Sequence, residues 1–409
     1  MITRSILRPV LRPVTRAVSD TIRGFSINSL FASGEQGIWL DPSDFSTLFQ
    51  DAAGTTPVTA VGQPVGLALD KRLGLALGPE QVVNGTFTGG GTGWTNLDIA
   101  PSVTTFTGGV ATMVAALGFA LARLRQSLTL PAGTYEVSVR VASVSGTPGA
   151  ALAVGNTSSG DTTYANFSLD SAGVYTRKVT ITGPTLGLAF TAANVAGGTI
   201  VIDDVSVKLL PGNHASQTTS ASRPTLQQDS NGLYYLSFDG TDDGMATPSI
   251  NFTGTNKMTV WAGVRKLSDA AIGVVCELSA SLTSNAGTFF LAAPQGVGAA
   301  AYAFASRGSI AVTNITAGAT APDTSVIVGV GDISGDIELI RRNGAQAGVS
   351  TADQGTGNYG NYPLYIGRRN NASLPFNGRI YQLIIRGAAS NAGQIAATEA
   401  WMNGKTRAF

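Results

Sequence analysis

Alternation with a period of two residues constrains this chain more than any other feature. In LPAGTYEVSVRVASV (130–144), Tyr135, Val137, Val139 and Val141 fall on one side and Glu136, Ser138 and Arg140 on the other. Successive side chains of an extended strand point to opposite faces, so one face of such a segment is core and the other is not. GGTIVIDDVSVKL repeats the pattern with Ile200 and Ile202 before a pair of aspartates and Val205 and Val207 after it. Strand-like pieces recur about every ten residues without intervening helical spacing, which argues for two-sheet sandwiches over any α/β fold.

Composition agrees. Of 409 residues, 51 are Gly, 43% are apolar and only 12% are charged, a mix that gives turn-rich, weakly charged globular modules. The length suggests two to four domains, at about 100 to 200 residues each. A net charge of +1 supplies no field for nucleic acid or an anionic membrane, so neither is expected as a partner. The lone Cys276 excludes an intrachain disulfide, and its neighbours Ile272, Val274 and Val275 favour a buried, unreactive thiol.

The chain opens with MITRSILRPVLRPVTRAVSDTIRG, in which Arg4, Arg8, Arg12 and Arg16 are spaced by four. Pro9 and Pro13 disfavour a helix there, so an extended or kinked basic arm over 1–33 is expected, ordering against an acidic or grooved partner. No apolar run of signal-peptide or membrane-span length is seen, and the chain is read as neither secreted nor membrane-inserted. Residues 34–79, with Trp39 and turn signals at Asp41-Pro42 and Gly62-Gln63-Pro64, form short apolar pieces that need a neighbour to pack on. Residues 80–210 form the first sandwich. The polar stretch 211–232, containing the only histidine, His214, reads as a linker.

A second sandwich is expected over 233–409, with strands at 234–238, 258–264, 325–330, 337–341, 364–366 and 378–385. It ends in one short helix. Asn391 and Gln394 make a capping box, Ile395, Thr398 and Met402 keep helical spacing, and Gly404 takes the place of a terminating glycine.

Catalysis finds little support. His214 has no serine and acid fixed beside it, zinc sites of Cys/His type are excluded by count, and the glycine runs lack a phosphate-loop lysine. Adjacent aspartates on a strand point to opposite faces, so Asp203–Asp204 and Asp242–Asp243 are poor acid/base dyads. They suit turns or a hard cation. Asp203, Asp204, Asp242 and Asp243 are therefore the candidate ligands of a structural calcium, and no other cofactor is expected. Tyr359, Tyr362 and Tyr365, in a Gly/Asn-rich stretch, are either sugar-stacking platforms or packing residues. Trp94, Trp261 and Trp401 are core candidates; Trp39 is open between core and partner binding.

Three resemblances follow from particular motifs. EQVVNGTFTGGGTGW, LRQSLTLPAGTYEVSVRV and TIVIDDVSVKL together resemble jelly-roll carbohydrate-binding modules over about 130 residues. That family implies a calcium held by an acid of the last strand, here Asp203 or Asp204, and by an early acid whose place is taken by Thr88. FDGTDDGM, the strand around Trp261 and FNGRIYQLIIRGAASNAGQI are similar to concanavalin A-like, laminin G-like sandwiches. WLDPSDFSTLFQDAAGTTPVTAVGQPVG, the LGPEQVVNGTF junction and SASRPTL resemble the modular tail and appendage proteins of tailed bacteriophages.

These features define an all-β chain, two tandem β-sandwich (jelly-roll) domains after a short anchoring segment, with one C-terminal helix. The resemblances imply a non-enzymatic virion protein of the tail, made in the host cytoplasm and assembled as a homotrimer. Arg4, Arg8, Arg12, Arg16 and Trp39 would join other tail proteins, and the sandwiches would attach to host-surface glycan. Head decoration or a spacer without receptor binding, and polysaccharide depolymerisation, are the alternative readings.

Overall fold

Strand pairing joins the two ends of the chain. In a computed structural model, which describes residues 25–118, 120–157, 160–193, 197–310 and 315–409, the strand Gly37–Leu40 pairs antiparallel with the end of Asn377–Arg386. The arm with Arg4, Arg8, Arg12 and Arg16 lies outside the described residues.

Around that pairing the described strands form an eight-stranded antiparallel sheet. Its order is Thr225–Gln228, Tyr234–Asp239, Asn377–Arg386, Lys257–Lys266, Asp323–Asp332, Ile337–Arg342 and Ala345–Ser350, with Gly37–Leu40 beside Asn377–Arg386. A nine-stranded sheet packs against it, running from Leu48–Phe49 and Leu67–Ala68 through Ala215–Ser216, Met245–Asn251 and Asn361–Ile366 to Ile315–Gly318. Val260, Ala262, Val264, Ile327, Phe289 and Phe304 fill the space between, each 0% exposed. Full burial of the valine, isoleucine and phenylalanine side chains stabilises by about 1.5–3 kcal/mol each.

The chain organisation differs from expectation in two places. Residues 34–79, expected to pack on a neighbour as a small attachment module of their own, do pack on one but form no separate module, because they supply strands to both sheets of the C-terminal sandwich. Residues 211–232 are not a free linker, since Ala215–Ser216 and Thr225–Gln228 are strands of the same body. Short apolar pieces such as Gly37–Leu40 cannot bury themselves, and the sheet edges offered by distant strands complete them.

The first sandwich is thus inserted between Leu67–Ala68 and Ala215–Ser216. Its two five-stranded sheets are ordered Ala165–Ser168, Ala150–Gly155, Thr185–Ala193, Leu121–Thr129, Thr95–Asn96 and Gly173–Ile181, Gly133–Gly146, Gly198–Leu210, Val110–Ala115, Val103–Thr107. Tyr135, Val137, Val139 and Val141 face its core, as their alternation requires.

The neck of the insertion is clamped by Asp70 and His214. Asp70 accepts hydrogen bonds from the backbone of Trp39 (2.9 Å), Arg72 (2.9 Å) and Asn213 (2.8 Å). Its own N–H donates to Nδ1 of His214 at 2.9 Å, which leaves Nε2 to donate to the Leu210 carbonyl at 3.3 Å. His214 is 2% exposed and burial lowers its basicity, so it is a neutral structural group rather than a linker residue.

The single α-helix among the described residues, Ala392–Thr406, starts with the expected capping box at Asn391 and Gln394. Gly404 does not end it. Thr406 is still packed inward at 3% exposure, and the helix stops at Arg407, which adopts a left-handed φ of 49°. Beneath the helix, Trp401 and Met402 meet Trp39, Trp261 and Ile384. The Trp39 and Trp401 rings lie edge to face at 5.7 Å, and Trp39 is 4% exposed, so it is core and cannot dock a partner.

Candidate functional site

The FDGTDD motif places three carboxylates together at the end of strand Tyr234–Asp239. Gly240 turns the chain there with a φ of +76°, and a Cβ at this position would lie 2.7 Å from Asn377 Cβ. The turn folds Asp239, Asp242 and Asp243 onto one another, with carboxylate oxygens within 4.8 Å. Thr241 N–H caps Asp239 at 2.7 Å, Ser222 Oγ donates to Asp242 at 2.7 Å, and Asp239 N–H donates to Asp243 at 3.1 Å. None of these partners carries positive charge. Burial, then the charges of Asp239 and Asp242, push the Asp243 carboxyl up to about 6. Among the described residues no cation forms an ion pair with these carboxylates, although Arg368 Nη1 donates to the Asp242 backbone carbonyl at 3.2 Å, and three oxygen donors of one sign, partly buried, fit a hard divalent cation such as calcium.

Asp203 and Asp204 are built differently. The strand Gly198–Leu210 shifts register between Asp203 and Ser206, with Asp204 at a positive φ of 46°. This irregularity turns both carboxylates toward Arg140. Nε of Arg140 donates to Asp204 at 2.8 Å, and Nη2 pairs with Asp203. Asp204 N–H also donates to Asp203 at 2.7 Å. A guanidinium therefore supplies the positive charge for which calcium was expected.

The tyrosines do not form one platform. Tyr359 is 1% exposed, with its hydroxyl 2.5 Å from Ser306 Oγ, and is core. Tyr362 packs against the main core and donates to the Ala286 carbonyl at 3.2 Å. Tyr365, three residues along the same strand, is directed to the opposite face by the period of two. Burial raises the Tyr365 hydroxyl above its usual range.

Glu338 is a second carboxyl displaced upward, to about 8, by burial; one backbone N–H, that of Ser306, reaches it at 3.1 Å. At 1% exposure it cannot meet a polymeric substrate. Clefts lie elsewhere. The cleft of about 610 Å³ between the sandwiches is lined by Arg72, Asn213, Asn251 and Asn361, and Arg72 faces the buried Asp70 carboxylate at 3.5 Å.

Sequence reasoning missed Asp239 and Arg140. The spacing Asp-Gly-Thr-Asp-Asp held a signal for the first, since a glycine turn can fold residue 239 back onto 242 and 243. Arg140 is 63 residues from Asp203 and carried no local signal.

Residues 239–396 match the family model described as "Concanavalin A-like lectin/glucanases superfamily". The match covers the second sandwich from the aspartate turn into the helix. A comparison with curated proteins finds no match. Among solved structures, similarity is found to the Ruminococcus gnavus IT-sialidase CBM40 bound to alpha2,3 sialyllactose (13% identity, 36% of this chain and 83% of that one, TM-score 0.29). A heptameric SAP-like pentraxin from Limulus polyphemus (11%, 40% and 80%, 0.32) and the botulinum neurotoxin serotype G binding domain (11%, 44% and 47%, 0.32) are also similar. Identities and TM-scores this low carry no conclusion about ligand.

Proposed function

We propose that this chain is a non-catalytic glycan-binding appendage, a tail fibre or related virion component of a tailed bacteriophage that attaches to the host surface. The observation that carries the glycan reading is the match of residues 239–396 to a superfamily of lectins and glucanases, on a domain that presents the Asp239, Asp242, Asp243 group at a surface turn. Calcium at that turn would tie strand Tyr234–Asp239 to the segment leading into Met245–Asn251, fixing the loop without taking part in any reaction. The virion reading rests on the order of sequence modules, and its attachment point is the arm bearing Arg4, Arg8, Arg12 and Arg16. Trp39, enclosed in the core, is withdrawn from that role.

The full chain is expected to bind host surface polysaccharide in calcium-containing buffer and to lose that binding on chelation. Binding that ignores both chelation and Asp239→Asn would remove the cation from the reading. Antibody labelling of particles should place the chain on the tail, and light scattering should give a trimer. Label on the head, or a stable monomer at micromolar concentration, would overturn those two parts.

A further inference from the structure

A cleft of about 470 Å³ opens where the inserted jelly roll rests on the second sandwich. One wall is the end of strand Leu48–Phe49 and the loop after it that carries Thr55; the other is strand Gly173–Ile181, with Tyr175, Thr176, Arg177 and Lys178. The two walls are fixed to each other. The backbone N–H of Lys178 donates to the Ala53 carbonyl at 2.7 Å, and its ammonium lies 4.7 Å from the Phe49 ring and 3.3 Å from Glu136.

Arg177 has no such partner. Its guanidinium lies over the buried ring of Phe167 at 4.9 Å, and among the described residues it meets neither a carboxylate nor a hydrogen-bond acceptor. Nearby, Arg72, Lys178 and Lys208 each face a carboxylate, and Arg223 donates to the carbonyls of Gln50, Gln217 and Thr218. A planar donor set held over an aromatic ring and left without an anion is suited to a bidentate oxyanion.

The strand beside it adds donors and acceptors. Gly173–Ile181 is the edge of its sheet, paired on one side only. Because the Lys178 N–H leaves the sheet toward Ala53, the period of two directs the N–H and C=O of Thr176 the same way, on the side of the cleft. Partly exposed rings at Phe49 and Tyr175 supply apolar surface of the kind on which a sugar face stacks. The Tyr175 ring is held by its hydroxyl, which donates to the Ser171 carbonyl at 2.9 Å.

We propose that this interdomain cleft binds a carboxylate-bearing saccharide, with Arg177 pairing the carboxylate. Sugar hydroxyls meet the Thr176 backbone, and the ring lies against Tyr175 or Phe49. This rests on the glycan-binding reading above but assigns a different place and a substrate class, an acidic glycan, to the junction of the two domains. Sites between domains are common because each wall is rigid and the gap is formed by their docking.

The test uses the full chain and titrates it with oligosaccharides carrying galacturonate, glucuronate or sialic acid, with a neutral glucose oligomer and a sulfated oligomer of equal length. At least one carboxylated probe should bind, weakening as salt rises. Arg177→Gln keeps the stem over Phe167 and should weaken binding about 10- to 100-fold, the range for a lost charged hydrogen bond. Arg177→Lys, a point charge, should fall between. Unchanged thermal midpoints confirm that both variants fold. Failure of all three carboxylated probes, equal binding of the neutral or the sulfated oligomer, or unaltered binding by Arg177→Gln overturns the proposal. Glycan binding that survives Arg177→Gln but is lost on chelation or in Asp239→Asn would sink this site while sparing the glycan-binding function.

Discussion

Two pairs of neighbouring aspartates, one in each sandwich, look alike in sequence and are opposite in physics. Asp203 and Asp204 lie at a register shift inside a long strand, and Arg140 from the adjacent strand pairs with both. Asp242 and Asp243 follow a glycine turn, gather Asp239, and among the described residues have only neutral hydrogen-bond donors at their carboxylates. The same dipeptide is thus a closed ion pair in one domain and an open set of oxygen ligands in the other. What decides is the cross-strand neighbour, which the dipeptide does not encode.

The largest effect separating the two pairs should come from calcium. A ligand that binds the folded state alone stabilises it by RT ln(1 + [L]/Kd), about 4 kcal/mol at roughly a thousandfold excess over Kd. Calorimetry of the full chain should show the transition of the second sandwich rising with calcium while that of the jelly roll stays still. Asp239→Asn should abolish the rise, and Asp203→Asn should leave it intact. A calcium response that follows Asp203 would reverse the assignment.

A somewhat smaller effect is expected from pH in the absence of divalent cations. The Asp243 carboxyl is raised from 3.8 to about 6 in the folded chain, so between those values the native state keeps a proton that the unfolded state has lost. The Asp243 contribution to the second sandwich therefore falls as pH rises through that window, by at most about 3 kcal/mol at 1.36 kcal/mol per unit, and is flat above it, whereas Glu338, raised to about 8, continues to lower stability up to that pH. Asp243→Asn should make the slope between pH 4 and 6 shallower, leaving the part due to Glu338, and leave the chain more stable at pH 7. Calcium, by favouring the carboxylate, should shrink the slope as well. Denaturant titrations between pH 4 and 7, with chelator and with calcium, measure both.

The comparison also marks where the sequence stops being informative. Local alternation located the strands: the segment with Tyr135 to Val141 and the strands at 257–266 and 377–386 lie where period-two spacing and apolar content put them. The capping box at Asn391 was equally legible, because both partners are three residues apart. Long-range closure was not. Trp39 bonds to Gln382 across 343 residues, and the short strand Gly37–Leu40 has no pattern that names Asn377–Arg386 as its partner. For the same reason the jelly roll read as tandem rather than inserted, and His214 read as a linker residue. Of the candidate site, Asp242 and Asp243 were visible as an acidic pair, but whether a pair is compensated depends on Arg140 or its absence, a tertiary fact.

The smallest effect should belong to Asp204. Its side chain is 55% exposed, and an ion pair at such a position contributes between about 0 and 1 kcal/mol after solvent screening. The residue also holds a left-handed φ, which Asn tolerates nearly as well as Asp, so Asp204→Asn removes charge without adding backbone strain. The jelly-roll transition should move little and remain indifferent to calcium. Asp204→Val keeps the charge loss and adds a β-branched side chain where φ is positive, so its transition should fall further, by about 1–2 kcal/mol. If the two variants were equally destabilised, the charge rather than the backbone would hold this turn. The jelly-roll pair would then be closer in character to the open set in the second sandwich than its geometry implies.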